Sequence, residues 1–382
     1  MMQNVDVAVI GAGPAGSAAA ITLAQRGYRV ALIDKQPFPR EKLCGDFVNP
    51  INLPLLRRLG VENEVYAQPH ASVTGFRITS SSGAAAEARL PNAAQGGAGL
   101  GLRRALLDHT LVRRAANLGA AVRLNSRVEA LLRNARGWQF KTAEESWQAK
   151  LLIGADGRNS WVAEQLGLNS RAGMRGRSVG FQARVKCSGA AQGKVEIHLF
   201  PGGYAGLIGL GGGELNFCLA IDAQVLPRTA IGEFLLEKCL PRNPYLKAVL
   251  ERSTAISSFR SAYPVYFPPR RCYAERALLA GDAARVSEPV SGEGIYFAMR
   301  SGLLAAEAMA EALAENDLSA GFLRRYQQRC GRVFRRRLGL NAVMRFAVYR
   351  PALLSPLIYL FARKRRWLDS LIGAVCVPEP LR

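Results

Sequence analysis

The sequence predicts an α/β protein: a parallel sheet flanked by helices, a second strand-rich domain inserted into it, and a helical C-terminal region. Three observations point there. Residues 5 to 10 form an apolar run broken only by Asp6, as in a parallel strand covered on both faces. That run leads directly into Gly11, Gly13 and Gly16, a G-x-G-x-x-G turn opening a helix. A second strand-to-turn junction, Ala277 to Asp282, lies near the other end of the chain.

The first unit can be justified residue by residue. Gly11 permits the tight turn, Gly13 lets a pyrophosphate approach the backbone, and Gly16 lets the helix pack closely on the sheet. Pro14 suits the first helical turn, whose amides present positive potential to phosphates. Small residues (Ala15, Ser17, Ala18, Ala19, Ala20) build the helix and Gly27 ends it. A second strand over residues 29 to 33 delivers Asp34, eighteen residues after Gly16, to a ribose hydroxyl. These residues, with Ala15 and Lys35 beside them, predict a dinucleotide site. Whether it takes FAD or NAD stays open at this point.

Composition sets the bounds. The 382 residues suffice for two domains with ample cores, and 49% hydrophobic content argues for a folded protein. Seven scattered cysteines without a C-x-x-C suit reduced thiols in a cytoplasm and argue against disulfides or zinc. Three histidines, none at ligand spacing, imply no metal centre. The apolar stretch of residues 7 to 23 lacks a basic residue ahead of it and contains the glycine turn, so it reads as strand, turn and helix rather than a secretory signal. The net charge is +22, and residues 324 to 366 carry thirteen Lys and Arg with no Asp or Glu. Such a tail seeks an anionic surface, membrane or nucleic acid.

Further motifs decide the cofactor. The segment from Gly281 and Asp282 through Pro289 to Gly292 and Gly294 resembles the third flavin motif of glutathione-reductase-type FAD proteins. The branch is the one that holds aromatic hydroxylases and geranylgeranyl reductases. The resemblance implies a Rossmann-like FAD-binding domain in which Asp282 bonds the ribityl chain and Pro289 lies by the isoalloxazine. Gly292 and Gly294 then open a helix whose N-terminus stabilises reduced flavin. Residues 151 to 160, with Asp156 and Gly157, resemble the branch's middle motif, associated with FAD and NAD(P)H. Ala163 stands where the family has Arg, so the use of NAD(P)H as electron donor is left open. Arg104, on a helix whose Leu107, Leu111 and Leu118 share a face, matches a cofactor-contacting Arg. The run Lys42-Leu-Cys44-Gly45-Asp46 with Pro50 resembles the K-x-C-G-G-x-x-x-P signature of geranylgeranyl reductase-like proteins, with Asp46 replacing the second glycine. Cys44 and Asp46 are accordingly candidate catalytic groups. Alternatively, Asp46 caps the helix expected over residues 52 to 58.

The resemblance spans residues 1 to about 310. Because the flavin segments must meet in space, the FAD-binding domain is expected to be discontinuous: 1–71, 99–168 and 272–320. Residues 72–98 and 169–271 then form a substrate-binding antiparallel sheet, and 321–382 the C-terminal helical region. Strands are expected over 72 to 79, 86 to 90, 178 to 187, 195 to 200 and 214 to 221, the last two bracketing a glycine-rich hairpin over 204 to 213. His198 reads as a half-buried sheet residue rather than a base. Tyr204 matches the aromatic of the family's G-Y-x-W-x-x-P segment and is the candidate substrate contact. Gly206 and Gly209 replace its Trp and Pro, implying a differently shaped pocket.

The resemblance thus implies an FAD-dependent oxidoreductase acting on an isoprenoid or polyketide-derived substrate by C=C reduction. The alternative is a monooxygenase of phenolic or quinone-like rings. A halogenase is disfavoured because Trp138, Trp147, Trp161 and Trp367 stand apart, without W-x-W-x-I-P. In the tail, the twelve mostly apolar residues before Arg363 are too few to span a bilayer. Placement in the interface of an anionic membrane, or cover over the substrate pocket, fits better. Nucleic acid is the weaker partner, since the basic tail lacks regularly interleaved aromatics. The expected location is cytoplasmic, peripheral on the inner face of the membrane.

Overall fold

The computed structural model describes residues 2–91, 93, 98–168, 178–187 and 189–378. The first strand, Met2–Ile10, lies inside a parallel sheet in the order Ala277–Leu279, Ser146–Gly154, Met2–Ile10, Val30–Ile33, Ala121–Arg123. Its Val7, Ala8 and Val9 are fully buried, so both faces of the strand are covered, as its unbroken apolar run requires. Helix Pro14–Gln25 follows the glycine turn and packs on helices Gly294–Ala314 and Arg104–Asn117. Contact with Gly294–Ala314 is backbone to backbone: a Cβ on Gly302 would sit 2.1 Å from the Ala15 carbonyl oxygen. An antiparallel hairpin, Ala130–Asn134 with Gly137–Lys141, extends Ser146–Gly154. It was not marked in the sequence, where its alternation is blurred by charged residues. Phe140 stacked on Trp147 at 5.9 Å anchors it.

The second sheet runs Ala255–Ile256, Ser178–Lys186, Glu214–Asp222, Gly203–Gly211, Lys194–Phe200, Gly75–Thr79, Ala85–Arg89. Neighbours are antiparallel except Lys194–Phe200 with Gly75–Thr79. Three expectations are corrected. The strand expected over 72 to 79 breaks at Thr74, whose N–H donates to the Gly193 carbonyl at 2.8 Å. Ala71–Val73 instead joins Gly99–Gly101 and Phe47–Val48 in a separate three-stranded sheet. The supposed glycine-rich hairpin is mostly a central strand, Gly203–Gly211, paired on both sides. Its glycines admit close backbone neighbours: a Cβ on Gly203 would lie 2.2 Å from the Ala220 oxygen, and one on Gly101 would lie 1.9 Å from the Gly209 oxygen. The turn itself is only Gly211, Gly212 and Gly213, at φ of +95°, +60° and +77°. His198 is fully rather than half buried, held between Thr79 Oγ1 at 2.8 Å and Glu196 Oε2 at 3.1 Å.

Both faces of this sheet are covered. Residues 231 to 251 cover one face through Leu235, Leu240, Leu246 and Val249. The other receives helices Pro351–Arg363 and Arg365–Cys376 through Leu354, Ile358, Phe361, Leu368, Ile372 and Val375. The i, i+4, i+7 spacing of the first three residues gives one apolar stripe, and it survives Pro356 within the helix. Helix Ala320–Val348 links these to the core around the parallel sheet, burying Phe322, Leu323, Tyr326 and Phe334. Among the described residues no helix is long and apolar enough to cross a membrane.

Candidate active site

A cleft with about 1430 Å³ of space between protein atoms, counting its open mouth, lies between the parallel sheet's glycine turn and the second sheet. Gly13, Pro14 and Ala15 form one end, with Gly157, Asp282, Pro289, Gly292 and Gly294 around them. Cys44, Gly45 and Arg104 line it on the side facing Tyr204 and Gly206. The two remote glycine segments touch directly: a Cβ on Gly281, at φ +61°, would lie 2.7 Å from Ala15 Cβ. That contact brings residues separated by most of the chain into one cradle.

The glycine turn divides by space. A Cβ on Gly11 would lie 2.4 Å from the Ala155 oxygen, and on Gly16 it would lie 1.8 Å from the Gly11 oxygen. At Gly13 the nearest atom is Arg40 Nη2, at 3.6 Å. Two glycines are therefore needed for packing. The third leaves an open concavity beside a guanidinium at a helix N-terminus, the geometry that takes a pyrophosphate. Arg40 stands 3.7 Å from Asp34 and 3.9 Å from Asp108. Lys42 Nζ and Arg158 Nη2 each lie 3.9 Å from Asp282 Oδ2. Lys42, Arg104 and Arg158 line the cleft and Arg40 stands beside Gly13, four cations in all, suiting an anionic dinucleotide. In the sequence Lys42 stands only as a motif position, Arg158 lies within the 151–160 motif without a role of its own, and Arg40 has no signal, because nothing local marks which arginines turn inward.

Other candidates are placed as follows. Asp34, at the end of Val30–Ile33, accepts Ala12 N–H at 2.8 Å and Gln36 N–H at 2.9 Å, so it also fixes the glycine turn. Lys35 is exposed and does not line the cleft. Arg104 is buried and forked onto Asp108 at 2.8 and 2.9 Å, which aims its remaining edge into the cleft. Asp156 is turned inward: it accepts from the Ser160 hydroxyl at 2.5 Å and Val162 N–H at 3.0 Å, and burial raises its pKa. Gly157, not Asp156, faces the cleft. Ala163 is fully buried behind that loop, its N–H bonded to Ser160 Oγ at 2.9 Å.

The Cys44–Asp46 segment is clamped onto the second sheet. The Cys44 carbonyl accepts Gln182 Nε2 at 2.9 Å and Asn216 Nδ2 at 2.8 Å. Burial raises the Cys44 pKa against the opposing pull of Arg104, so this group is a neutral thiol. Asp46 occupies φ +53°, the left-handed region where the resembled signature has glycine. Its carboxylate is fully buried and does not line the cleft. One oxygen accepts Arg104 N–H at 3.1 Å and the other meets Arg184 at 2.5 Å. Burial nonetheless pushes its pKa up to about 6. The helix it caps is therefore Arg104–Asn117, a correction to the cap expected further along. Leu53–Leu59 is preceded by a short 3-10 turn that Asn49 caps through Ile51 N–H at 3.2 Å.

A family model described as an FAD binding domain matches residues 4–338. The chain belongs to that FAD-binding family. It is an FAD-dependent oxidoreductase of the branch that the sequence motifs resemble, and FAD is its cofactor. Conditioned medium factor receptor 1 of Dictyostelium discoideum is 29% identical over 368 residues, covering 90% of this chain and 71% of that protein. Digeranylgeranylglycerophospholipid reductase of Methanosarcina acetivorans is 30% identical over 331 residues, covering 84% and 78%. Among solved structures, a geranylgeranyl bacteriochlorophyll reductase-like protein of Thermoplasma acidophilum superposes with a TM-score of 0.78 at 21% identity. That alignment covers 100% of this chain and 98% of the other. The residues of the cradle fit FAD: an open concavity at Gly13, convergent cations, and a second helix N-terminus, at Gly294, lining the same cleft.

Proposed function

We propose that this FAD oxidoreductase saturates carbon–carbon double bonds of a polyprenyl-type lipid. The observation that carries the reading is continuity: the cradle opens without a wall into a chamber lined by Phe76, Val195, Ile197, Ile208, Val265 and Val290. Gly206, where the resembled segment has tryptophan, leaves width for a branched chain. The digeranylgeranyl lipid in the name of the Methanosarcina relative is substrate chemistry of that shape. Reduced FAD, when bound, supplies hydride. Gly13, Arg40, Lys42, Arg104, Arg158 and Asp282 would hold the nucleotide, while Pro289, Gly292 and Gly294 would border its ring. Cys44 meets the substrate as an uncharged thiol, and Asp46 positions Arg104 and Arg184 behind it. The apolar walls exclude water from the reacting carbons.

Titrating the FAD-loaded protein with a polyprenyl glycerol-ether lipid should produce a saturable flavin difference spectrum, and a simple phenol should not. The reverse pattern would favour the monooxygenase alternative.

The C-terminal helices also support membrane docking. Their outward side exposes Val343 (66%), Phe346 (56%), Leu353 (62%), Tyr359 (53%) and Trp367 (52%). Arg350, Arg363, Lys364, Arg365 and Arg366 flank these side chains. Apolar anchors beside cations fit an anionic lipid surface, from which a greasy substrate would enter. Deleting residues 320–382 is a poor test, because Phe322, Tyr326 and Phe334 belong to the main core. Replacing Phe346, Leu353 and Trp367 together by Ser should instead lower sedimentation with phosphatidylserine vesicles about tenfold or more, roughly 1.4 kcal/mol, at unchanged melting temperature. Unchanged sedimentation would remove the membrane proposal.

A further inference from the structure

Glu288 precedes the ring-side Pro289, is 1% exposed, and is used by nothing so far described. Its backbone is fixed on both sides by Asn341, whose Oδ1 accepts Glu288 N–H at 3.2 Å and whose Nδ2 donates to the Glu288 carbonyl at 2.9 Å. Its side chain meets the hydroxyl of Tyr204, which donates to Oε1 at 2.6 Å. Tyr204 lines the cleft and Glu288 does not, so the pair spans the wall. On the far side stand Tyr349, 6.1 Å from Tyr204 between ring centroids, and Arg345, laid over Tyr266 at 3.9 Å. Both are only half-buried.

We propose that Glu288 and Tyr204 form a proton relay into the cleft, with Glu288 as reservoir and the Tyr204 hydroxyl as the group that donates to substrate. The inference rests on the double-bond reduction proposed above. The balance is simple. One alkene carbon receives hydride from reduced FAD, which is thereby oxidised. The other carbon receives the Tyr204 proton, and the alkene π pair forms that C–H bond. Tyr204 recovers a proton from the Glu288 carboxyl as its own leaves, and Glu288 regains one from solvent between turnovers. When Glu288 is protonated its O–H donates to the Tyr204 oxygen, freeing the phenol hydrogen to point into the cleft.

The electrostatics are consistent. Burial raises Glu288 to about 7, against opposing pulls from Tyr204, Arg345 and Tyr349, the groups that face it from the sheet and the long helix. Burial also holds Tyr204 well above its ordinary range, with Glu288, Tyr349 and Cys218 adding to it, so a free phenolate is disfavoured. The Tyr204 proton must therefore leave as Glu288 replaces it, rather than beforehand.

The sign follows. Protonated Glu288 is the active form, so lipid reduction should fall as pH rises through about 7. Glu288→Gln keeps the shape but cannot donate an acidic proton, and should lower the rate of the lipid step about a hundredfold and abolish that alkaline limb. The flavin difference spectrum on lipid binding should be unchanged. Tyr204→Phe should lose a similar factor, and the double variant little more, because the two act in series. Independently of turnover, infrared spectra of the FAD-loaded protein should show a carboxylic C=O band that titrates near neutrality and is absent from Glu288→Gln. No such band, additive losses in the double variant, or an alkaline limb persisting in Glu288→Gln would overturn the relay. A wild type that shows the band but reduces no polyprenyl lipid would overturn both the substrate assignment and the donation step that depends on it.

Discussion

Gly13→Glu will yield a folded, colourless protein. At this position a Cβ meets nothing nearer than Arg40 Nη2 at 3.6 Å, so the new side chain has somewhere to go. The carboxylate will pair with Arg40 and fill the open concavity at Gly13, which sets negative charge where the proposed pyrophosphate site needs a cation. Apparent FAD affinity should fall about a hundredfold or more, roughly 2.8 kcal/mol. FAD-free stability should stay within about 1 kcal/mol of the native protein. Gly16→Val is the contrasting case. Its Cβ would lie 1.8 Å from the Gly11 carbonyl oxygen and 3.0 Å from Gly11 C, and backbone cannot yield as a side chain does. That variant should lose more than about 4 kcal/mol, or fail to accumulate, before cofactor binding is at issue. Flavin content and urea midpoints of the two variants separate binding from packing. A fully flavinated Gly13→Glu protein would contradict the cradle.

The second large effect is expected at Arg337, which ties the C-terminal region to the loop of residues 289 to 294. Arg337 and Glu293 are 2% and 1% exposed and 2.9 Å apart. Arg337 also donates to the Val375 and Val377 carbonyls at 3.1 and 3.0 Å and lies over the Tyr296 ring at 5.1 Å. Arg337→Ala strips the guanidinium from a buried carboxylate and leaves two carbonyls short of a donor. Breaking a buried pair from one side costs about 3–5 kcal/mol. Because Glu293 sits between Gly292 and Gly294, FAD affinity should fall with stability. Arg329→Ala is the control: its pair with Glu311 is 32% and 36% exposed, so its removal should cost below about 1 kcal/mol. Equal midpoints for the two variants would refute the tie.

Much of the nucleotide half was legible because its signals are local. A strand, three glycines and an acid at fixed offsets specify one turn, and Gly281 with Asp282 repeats that grammar. Side-chain direction was less legible. Asp46 and Asp156 stand in cofactor motifs, yet both carboxylates serve helix starts and neither lines the cleft, since what they face depends on chain more than fifty residues away or on a hydroxyl within their own loop. The Gly203–Gly211 strand was hidden by its composition: glycine marks turns locally, and here it records the close approach of Ala220 and Gly101. Arg40 carried no periodic or motif signal at all, and Arg158 and Glu288 lie inside motif-bearing segments that assign them no role. They matter because remote segments fold against them, and only the assembled cleft shows this.

One anaerobic turnover separates double-bond reduction from oxygenation. The FAD-loaded protein is reduced without oxygen, mixed with a polyprenyl glycerol-ether lipid, and the lipid is analysed by mass spectrometry as the flavin colour returns. Colour recovery is expected, coupled to a gain of two hydrogens per reduced double bond and no added oxygen. Flavin that stays reduced until air is admitted, with oxygen then appearing in a product and no saturated lipid, would contradict it.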